Sequence, residues 1–516
     1  MEMWEPITES SEALICKDEI NDMFKEPKRA ELQKWKDMDV YSEVENTGQQ
    51  SITTRWVCTE RMKAGKIEAK ARLCARGCED VEDVPTDSPT CERDNVRLML
   101  SIAMSRGWSI HSVDIKSAYL QGETVDRDIF LVPPKEANTQ KLWKLKKCVY
   151  GINDAGRKWY NQFRKDLLNF GAQISKLDQA VFFKHDNGQL SGIMVLHIDD
   201  TLWAGNELFA SQIIKPLKEK FSVSAEEHNN MTYLGLSIKS NIGSAKLDLD
   251  HYVQRLQEIQ ISPDRNSDDT LTGKETNQLR VLSGQLNWLS AQSRPDVSFN
   301  SCQIACSIKN AKVSDIKYAN KAVRKVKGSN YHLTYLPLGT PELWKIISFS
   351  DASWGNLPDG GSQGAYLIFL VGEGGTANLI SWQSRRVRRV ARSTIAAETL
   401  AAMDACESAS LLSSQISEIM NIAPIPVTLL TDNESLTNSV LSTKSVEEKR
   451  LRVDISALRE MVNRKEIESI RWISTDDQLA DCLTKQGAKV ECLLAVIKQQ
   501  LRFEQSRLQF MPPRHE

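Results

Sequence analysis

GIMVLHIDDTLWAG, at residues 192–205, predicts an apolar strand, a tight acidic turn and a second apolar strand. Asp199 and Asp200 fall at the tip of this hairpin, where ordinary turn chemistry favours Asp-Gly or Asn-Gly. Two adjacent carboxylates repel each other, and a bound divalent cation would remove the repulsion. A solvated turn without a cation explains a lone acidic pair equally well, so the pair needs support from elsewhere in the chain.

That support comes from a second predicted strand, 110–115, whose VDI segment places Asp114 near its end. If the two strands are neighbours, three carboxylates converge and can hold two metal ions roughly 3.5–4 Å apart. Two such ions activate an attacking 3′-hydroxyl and stabilise charge on the transferring phosphoryl group. Asp114, Asp199 and Asp200 are therefore candidate metal ligands for nucleotidyl transfer, with a solvated turn as the alternative.

The second half of the chain carries another set of acids. Asp351 ends the predicted strand IISFS, Asp432 ends VTLL, and Glu398 lies on a helix that starts near residue 393. Asp481 lies in a further predicted helix. Carboxylates at strand ends and on a facing helix suit two Mg²⁺ ions that position water for phosphodiester hydrolysis. Any one of these acids alone is explained as well by a helix N-cap or a solvated turn.

Length and composition set the outer limits. The 516 residues leave room for two to four domains, and 41% hydrophobic with 26% charged residues is ordinary for a globular protein. No apolar run approaches the roughly 20 residues that span a bilayer. The N-terminal segment is acidic and lacks the basic and apolar regions of a signal peptide. We therefore expect an intracellular protein without a membrane partner.

The cysteines favour no metal site. The closest pairs among the 11 are Cys74 with Cys78 and Cys302 with Cys306, and no CxxC or nearby His pair completes a zinc ligand set. Structural zinc stays an alternative, but reduced cysteines that serve packing are the better interpretation.

A net charge of −2 argues only weakly against a nucleic-acid partner, because phosphate binding needs a local patch. Each of three basic patches is explained singly by a solvated face. The first comprises Arg55, Arg61, Lys63, Lys66, Lys70, Arg72 and Arg76; the second Lys141, Lys144, Lys146 and Lys147; the third Arg385, Arg386, Arg388, Arg389 and Arg392.

Several motifs together resemble a known family. VDIKSAYLQG, YGINDAGRKWY, HIDD and YLGLSI are similar, in order and spacing, to reverse transcriptases of copia-type retrotransposons, and KARLCARG fits the fingers segment of that family. SGQLNWLSAQSRPDVSFN and AVRKVKGSNYHLTY resemble its connecting region. FSDASWG, RSTIAAETLA, LLTDNES and QLADCLTK resemble the four acidic motifs of its ribonuclease H. The resemblance covers about residues 56–485 and implies the C-terminal reverse transcriptase and ribonuclease H portion of a Pol polyprotein.

The resemblance implies an α+β fold class: a right-hand polymerase with fingers, palm and a helical thumb–connection region, followed by a ribonuclease H-like α/β domain with a mixed sheet. The predicted domains are an N-terminal helical and polar extension (1–50), fingers and palm (51–248), the helical thumb–connection region (249–338), the ribonuclease H-like domain (339–490) and a C-terminal helical tail (491–516).

The resemblance also implies roles for individual residues. Asp114, Asp199 and Asp200 would be the polymerase metal ligands, and Asp351, Glu398, Asp432 and Asp481 those of the ribonuclease. Lys70 and Arg72 would contact the phosphates of the incoming nucleotide. Tyr119 would be the steric gate that excludes a 2′-hydroxyl, although a role in the core explains it too. Gly151 to Ala155 would line the nucleotide and template pocket, and Leu234 and Gly235 would form the primer grip.

Three positions depart from the pattern of the family. His197 stands where the family usually has Tyr, which predicts an altered contact with the primer end and an altered pH response. Asp154 and Gly156 replace the usual Gln and Pro, so the implied pocket is in doubt at those two positions.

The expected function is therefore an RNA-directed DNA polymerase with ribonuclease H activity, using two Mg²⁺ per site, with Mn²⁺ as a possible substitute. Expected partners are an RNA template, a DNA primer, an RNA–DNA hybrid and deoxynucleoside triphosphates; the oligomeric state is left open. The expected location is the cytoplasm, in a virus-like particle, or the nucleus. The alternative is an inactive or host-retained relic that binds nucleic acid without catalysis, which the departures at His197, Asp154 and Gly156 motivate.

Overall fold

The computed structural model describes residues 22–63, 66–224, 226–329, 331–357 and 359–512, without the side chains of 61–67. The predicted turn at Ala64 and Gly65 and the acidic N-terminal segment lie outside these residues. The chain divides into two units. The first comprises the described residues up to Cys91 together with Ser112–Lys184 and Met194–Glu227, and the second comprises Glu92–His111, His185–Ile193 and the described residues from His228 onward.

The described α-helices, α1 to α14 in chain order, are Lys25–Asp37, Arg93–Arg106, Ala118–Gln121, Ala155–Asn169, Glu207–Phe209, Lys215–Lys220, Asp250–Arg255, Gly273–Gln292, Ser298–Ser307, Val313–Lys327, Thr394–Met420, Glu434–Leu441, Lys449–Asn463 and Glu491–Ile497. The described strands, β1 to β22, are Tyr41–Val44, Ile52–Lys63, Lys66–Ala75, Ile110–Asp114, Phe130–Val132, Leu142–Leu145, Gln173–Ile174, Val181–Asp186, Gln189–His197, Asp200–Gly205, Glu227–His228, Asn230–Tyr233, Leu236–Asn241, Ser244–Asp248, Leu333–Tyr335, Lys345–Ser353, Gln363–Val371, Ala377–Arg386, Val427–Thr431, Ser469–Trp472, Arg502–Glu504 and Gln509–Met511.

The N-terminal part of the first unit is a five-stranded sheet in the order β1-β6-β5-β2-β3. Its core includes Trp35 from α1 and Trp143 from β6, and the Tyr41 ring stacks on Trp143 at a centroid distance of 4.0 Å. Helix α1 thus packs against this sheet, and strand β1 is part of it. The predicted division between 1–50 and 51–248 runs through the unit, because the short alternating segment Tyr41–Val44 pairs with β6 instead of forming a polar connection.

A second sheet of the first unit contains β4, β10, β9, β8 and β7 in that order. Helix α4 packs its apolar side into this region through Trp159, Phe163 and Leu167, which are at most 1% exposed. These three residues recur at spacings of four, which is the period that predicted the helix. The hairpin predicted at 192–205 is the β9–β10 pair.

Helix α2 begins the second unit and is buried on all sides, since every residue from 95 to 104 is buried. The second unit also holds a sheet in the order β12-β13-β14-β15. Strand β15 pairs antiparallel with β14, with Leu333 opposite Leu247. The predicted boundary between 248 and 249 therefore cuts this sheet, because β15 returns to it after helices α7 to α10.

The other large sheet of the second unit is mixed, in the order β18-β17-β16-β19-β20. Strands β16, β17 and β18 are antiparallel neighbours, whereas β19 and β20 run parallel to β16. Helix α11 packs on β16, β17 and β19. The prediction of a mixed sheet in this region is confirmed by these pairings.

The C-terminal segment is only partly helical. After α14 the chain forms the β21–β22 hairpin, whose Phe510 ring lies 5.4 Å from that of Phe369 on β17. The prediction of a helical tail over 491–516 is thus wrong for 502–511, because alternating apolar residues there pack against the mixed sheet. None of the described helices is long and apolar enough to cross a bilayer.

Candidate active sites

The turn between β9 and β10 carries the acidic pair, with Asp199 in the turn and Asp200 as the first residue of β10. Ile198 precedes them with φ 58°, a left-handed conformation that a β-branched residue rarely adopts. The Nε1–H of Trp159 donates a hydrogen bond of 2.7 Å to the Ile198 carbonyl. Helix α4 therefore holds the turn in its strained shape.

Asp114 lies beside this turn. The N–H of Ile115 donates to the Asp199 carbonyl at 2.9 Å, and the Thr201 hydroxyl donates to the Val113 carbonyl at 2.7 Å. Burial, and then the charge of Asp114, raise the pKa of Asp199, while Arg72 and Lys70 act in the opposite direction. The structure thus brings together Asp114, Asp199 and the two basic residues that the sequence predicted.

Strand β3 carries Lys70 and Arg72 two residues apart, so both side chains leave the same face of the strand. The Arg72 guanidinium lies 5.3 Å from the centre of the Tyr150 ring, and the Tyr119 ring meets Tyr150 edge-on at 4.9 Å. Tyr119 also packs against the core of the first unit. Basic and aromatic side chains therefore lie near the acidic turn. Tyr119 contacts both these side chains and the core.

The local geometry requires glycine at position 151. Its φ is 91°, and a Cβ there would lie 2.0 Å from the Ala75 carbonyl oxygen. The close approach lets the Ala75 N–H donate to the Tyr150 carbonyl at 2.8 Å. Gly151 thus joins the end of β3 to the segment before α4, and direct contact with substrate stays a prediction.

Asp154 and Gly156, the two residues that depart from the family pattern, both form hydrogen bonds within the first unit. Asp154 is buried and accepts from Arg127 at 3.2 Å, and Arg127 also donates to Asp80 at 2.6 and 3.1 Å. The Gly156 carbonyl accepts from the Ser88 hydroxyl at 3.2 Å. The acid at 154 therefore completes a partly buried ion-pair network inside the first unit.

The structure gives the positions of His197 and of the two residues of the predicted primer grip, and their roles stay predictions. His197 is the last residue of β9, directly before the strained turn. Leu234 and Gly235, with φ 51° and 76°, form the two-residue turn between β12 and β13 in the second unit. Their contact with a primer stays a prediction.

We expect Trp159→Phe to lower the rate of primer extension by about tenfold, because a displaced turn misplaces Asp199. The lost hydrogen bond leaves the Ile198 carbonyl without its donor and costs about 1–3 kcal/mol of stability. Tyr160→Phe is the matched control: it removes a 2.9 Å hydrogen bond from the same helix to the Gln179 carbonyl. Equal losses of extension rate in both variants would show that Trp159 does not position the turn.

The second site lies on the mixed sheet. Asp351 on β16, Glu398 on α11 and Asp432 after β19 offer carboxylate oxygens that all lie within 4.8 Å of one another. It is the one set of three potential ligands this close among the described residues, so Asp114, Asp199 and Asp200 are not gathered as tightly. The side chain of Ser393 accepts from the Ala396 N–H and begins α11 as predicted.

Asp481 lies apart from these three acids. It belongs to a 3-10 turn, Leu479–Leu483, where the sequence predicted a helix, and its Oδ1 accepts from Lys485 Nζ at 2.6 Å. The same Nζ lies 3.6 Å from Asp351 Oδ1. Asp351 also accepts from the Thr484 hydroxyl. Lys485 therefore stands between Asp481 and the close cluster, and Asp481 as a direct metal ligand stays a prediction.

The three close carboxylates suit a divalent cation. Asp351 and Glu398 are 1% and 4% exposed, and Oε2 of Glu398 is buried without a hydrogen-bond donor among the described residues. Burial raises the pKa of Asp351 to about 7, and burial followed by the charges of Asp351 and Asp432 raises that of Glu398 well above its usual value. A cation would balance this charge and satisfy Oε2, and oxygen ligands are those that Mg²⁺ prefers.

These pKa shifts predict how stability depends on pH in metal-free protein. Asp351 titrates near 3.8 when unfolded and near 7 when folded, so the folded state binds more protons between these values. Stability should therefore rise as pH falls from about 7 to about 4. At pH 8 without metal, Asp351→Asn should raise the free energy of unfolding by on the order of 2 kcal/mol.

The control for this prediction is Asp359→Asn, which removes an acid whose pKa is lowered by its hydrogen bond with Arg386, so no stabilisation is expected. Urea denaturation at pH 5 and pH 8, with and without Mg²⁺, checks both variants. Added Mg²⁺ should stabilise the wild type and leave Asp351→Asn unchanged. If Asp351→Asn instead lowered the free energy of unfolding of metal-free protein at pH 8, the predicted direction of the effect would be wrong.

Sequence reasoning missed several residues around the cluster. A cavity of about 350 Å³ at the cluster is also lined by Trp354 and Lys485. The Trp472 Nε1–H donates to the Asp432 carbonyl at 3.1 Å, and the Thr475 hydroxyl to Asp432 Oδ2 at 2.9 Å. Of these contacts, only the ion pair between Asp481 and Lys485 had a signal in the sequence, which is their spacing of four residues.

The basic patches differ in their surroundings. In the second patch Lys141, Lys144 and Lys146 pair with acids at 3.0, 2.6 and 2.6 Å, which favours a solvated, locally neutral face. In the third, Arg385 and Arg389 pair with Asp404 and Asp454 at 2.7 and 3.0 Å. The side chains of Arg61, Lys63 and Lys66 in the first patch lie outside the described residues.

None of the ten described cysteines forms a disulfide, in line with the expected reduced state. Cys302 and Cys306 share a hydrogen bond on α9. No group of potential metal ligands among the described residues includes a cysteine.

Comparison with known proteins shows what part of the chain is similar to. Residues 38–267 match the family described as "Reverse transcriptase (RNA-dependent DNA polymerase)", and they include Lys70, Asp114 and Asp199. The chain is 25% identical over 467 residues to the retrovirus-related Pol polyprotein from transposon RE2 of Arabidopsis thaliana, covering 85% of this chain. The chain is therefore similar to the copia-type Pol polyproteins.

Other Pol polyproteins match at a similar level. The polyprotein from transposon RE1 of Arabidopsis thaliana is 26% identical and covers 84% of the chain, and the Ty1-GR2 Gag-Pol polyprotein of Saccharomyces cerevisiae is 25% identical and covers 81%. The chain spans 31%, 30% and 25% of the RE2, RE1 and Ty1-GR2 polyproteins.

Solved structures of viral reverse transcriptases share the fold. The foamy viral protease-reverse transcriptase in complex with double-stranded DNA matches with a TM-score of 0.56 and 13% identity, covering 89% of this chain and 71% of that one. The same viral protein in complex with an RNA/DNA hybrid matches with a TM-score of 0.54 and 12% identity, covering 92% of this chain and 56% of that one. The expected polymerase fold is thus supported for the chain at the level of its overall α and β content.

Proposed function

We propose that the chain is an RNA-directed DNA polymerase with ribonuclease H activity. The proposal of polymerase activity rests on one observation: Asp114 and Asp199 lie together near Lys70 and Arg72, inside the segment that matches the reverse transcriptase family. Acids that gather divalent cations beside bases that bind phosphates are the groups that nucleotidyl transfer needs.

In the first unit, Asp114, Asp199 and Asp200 would hold Mg²⁺, which supplies Lewis acidity for the transfer of a nucleotide to a primer 3′-hydroxyl. Lys70 and Arg72 would bind the phosphates of the deoxynucleoside triphosphate and offset the charge that develops on them. The Tyr119 ring would stand against the sugar and exclude a 2′-hydroxyl. Trp159 keeps the turn in place by its hydrogen bond to the Ile198 carbonyl.

In the second unit, the mixed sheet and helix α11 support a ribonuclease H-like domain. Asp351, Glu398 and Asp432 would hold Mg²⁺, which lowers the pKa of bound water for attack on a phosphodiester of the RNA strand. Lys485 pairs with Asp481 and keeps a positive charge beside Asp351. That charge would offset negative charge on the phosphate being cut. The related viral proteins in complex with DNA and RNA/DNA hybrid support RNA–DNA hybrid, RNA template and DNA primer as partners.

Two assays on the purified wild-type protein test the proposal. A labelled DNA primer annealed to RNA should be extended when deoxynucleotides and Mg²⁺ are present, and labelled RNA in a hybrid should be cut. EDTA should stop both reactions. Hybrid binding without either reaction, in folded protein supplied with Mg²⁺ or Mn²⁺, would overturn the proposal in favour of a relic that binds nucleic acid.

A further inference from the structure

A second cavity, of about 300 Å³, lies in the second unit. The 3-10 turn Pro295–Val297, helices α9 and α10, and the segment that follows Asp481 supply its lining. The lining has three lysines and one acid, and buried apolar side chains form part of the wall. The residues used below are Lys321, Lys325, Lys485, Asp296, Phe299 and Cys482. We call it the lysine cavity.

The acid of the lysine cavity is already neutralised. Asp296 is 3% exposed and accepts two hydrogen bonds from the buried Arg294 guanidinium, at 2.8 and 2.9 Å. The Asp296 carbonyl accepts from Lys325 Nζ at 2.7 Å, which holds that ammonium group at the wall. Because Arg294 balances Asp296 and Lys485 pairs with Asp481, the excess positive charge of the cavity comes from Lys321 and Lys325, and an anion is the ligand that fits.

The lysine cavity shares one residue with the carboxylate cluster. Lys485 lines both this cavity and the one that contains Asp351, Glu398 and Asp432. Its Nζ lies 3.6 Å from Asp351 Oδ1. A nucleic-acid strand carries a phosphate at every nucleotide, so a strand seated at the cluster brings further phosphates to its immediate surroundings.

We propose that the lysine cavity binds a backbone phosphate of the nucleic-acid strand next to the phosphodiester that is cut at the carboxylate cluster. This inference rests on the proposed ribonuclease function. Lys321 and Lys325 are exposed and bind the phosphate as point charges, and Phe299 and Cys482 form an apolar part of the wall. The contact fixes where along the hybrid the cut falls.

The test measures binding of a short RNA–DNA hybrid in Ca²⁺, which supports binding without cleavage in many Mg²⁺ enzymes. Lys321→Gln and Lys325→Gln should each weaken binding by roughly 3–10-fold at moderate salt and reduce the slope of log affinity against log salt by about one. Lys327→Gln, an exposed lysine on another side of α10, is the matched control and should leave both quantities unchanged. Circular dichroism confirms that each variant is folded.

Hybrids in which single phosphates are replaced by neutral methylphosphonates identify the phosphate. The wild type should lose affinity at one position near the cut, and the double variant Lys321→Gln, Lys325→Gln should be insensitive there. Competition by inorganic phosphate at constant ionic strength, without any methylphosphonate effect, would instead indicate a site for the free anion and overturn the proposal. Wild-type affinity and slope in the double variant would overturn it as well.

Failure of the inference is distinct from failure of the proposed function. If the wild type cuts the hybrid while the lysine variants behave like Lys327→Gln, only the lysine cavity loses its role. If the folded wild type neither binds nor cuts the hybrid, the ribonuclease assignment itself falls.

Discussion

Glu398→Gln should lower the rate of hybrid cleavage by roughly a thousandfold or more, equivalent to about 4 kcal/mol of barrier, while primer extension stays near the wild-type rate. The reason lies in Oε2 of Glu398, which is buried with no donor among the described residues and so is available to a cation. Glutamine keeps the size of the side chain and removes its charge. The fold should therefore survive while the cation loses a ligand.

Glu407→Gln is the matched control, because it makes the same change at an exposed position of the same helix. The reciprocal variant, Asp199→Asn, should abolish primer extension and spare hybrid cleavage. Extension is measured on a labelled primer and cleavage on labelled RNA, both in Mg²⁺. If Glu398→Gln cut the hybrid at the wild-type rate, or if one variant abolished both reactions in folded protein, two separate sites would be untenable.

Arg97→Met should destabilise the second unit by about 3–5 kcal/mol, since it removes a buried cation that holds several groups. Arg97 is 3% exposed and donates to the carbonyls of Ala291, Gln292 and Ile380 at 2.6, 3.1 and 3.0 Å. Its guanidinium lies 3.7 Å from the centre of the Trp382 ring. Methionine would leave three carbonyls without this donor, and each unsatisfied group costs about 1–3 kcal/mol.

Urea denaturation followed by tryptophan fluorescence measures the effect. Arg93→Met, an exposed position on the same helix, should change the midpoint little. Arg97→Lys separates charge from geometry: a point charge cannot reproduce the planar fork, so most of the loss should persist. A loss below 1 kcal/mol for Arg97→Met would mean that these carbonyls find other donors.

Local patterns were enough to predict the elements that carry the chemistry. The alternation around Asp199 and Asp200 predicted the β9–β10 hairpin, and the spacing of Trp159, Phe163 and Leu167 predicted α4. The acids of the second site were placed correctly on β16, on α11 and after β19. In each case a period of two or about four within one short segment contained the information.

What the sequence did not reveal depends on contacts between distant segments. Strand β15 joins β14 across more than eighty residues, and Tyr41–Val44 becomes a strand only because β6 lies beside it. The domain boundaries at 50 and 248 failed for this reason. The separation of Asp481 from the close cluster by Lys485 depends equally on side-chain positions that no local period specifies.

Helix α2 has a practical consequence for dissecting the protein. It lies in sequence between β3 and β4 of the first unit, yet its ten consecutive buried residues belong to the second. A fragment that ends near residue 267 retains this apolar segment and loses its partners from α8 and β18. Such a fragment would expose the apolar surface of α2 to solvent, so its aggregation would say little about whether the intact chain is active.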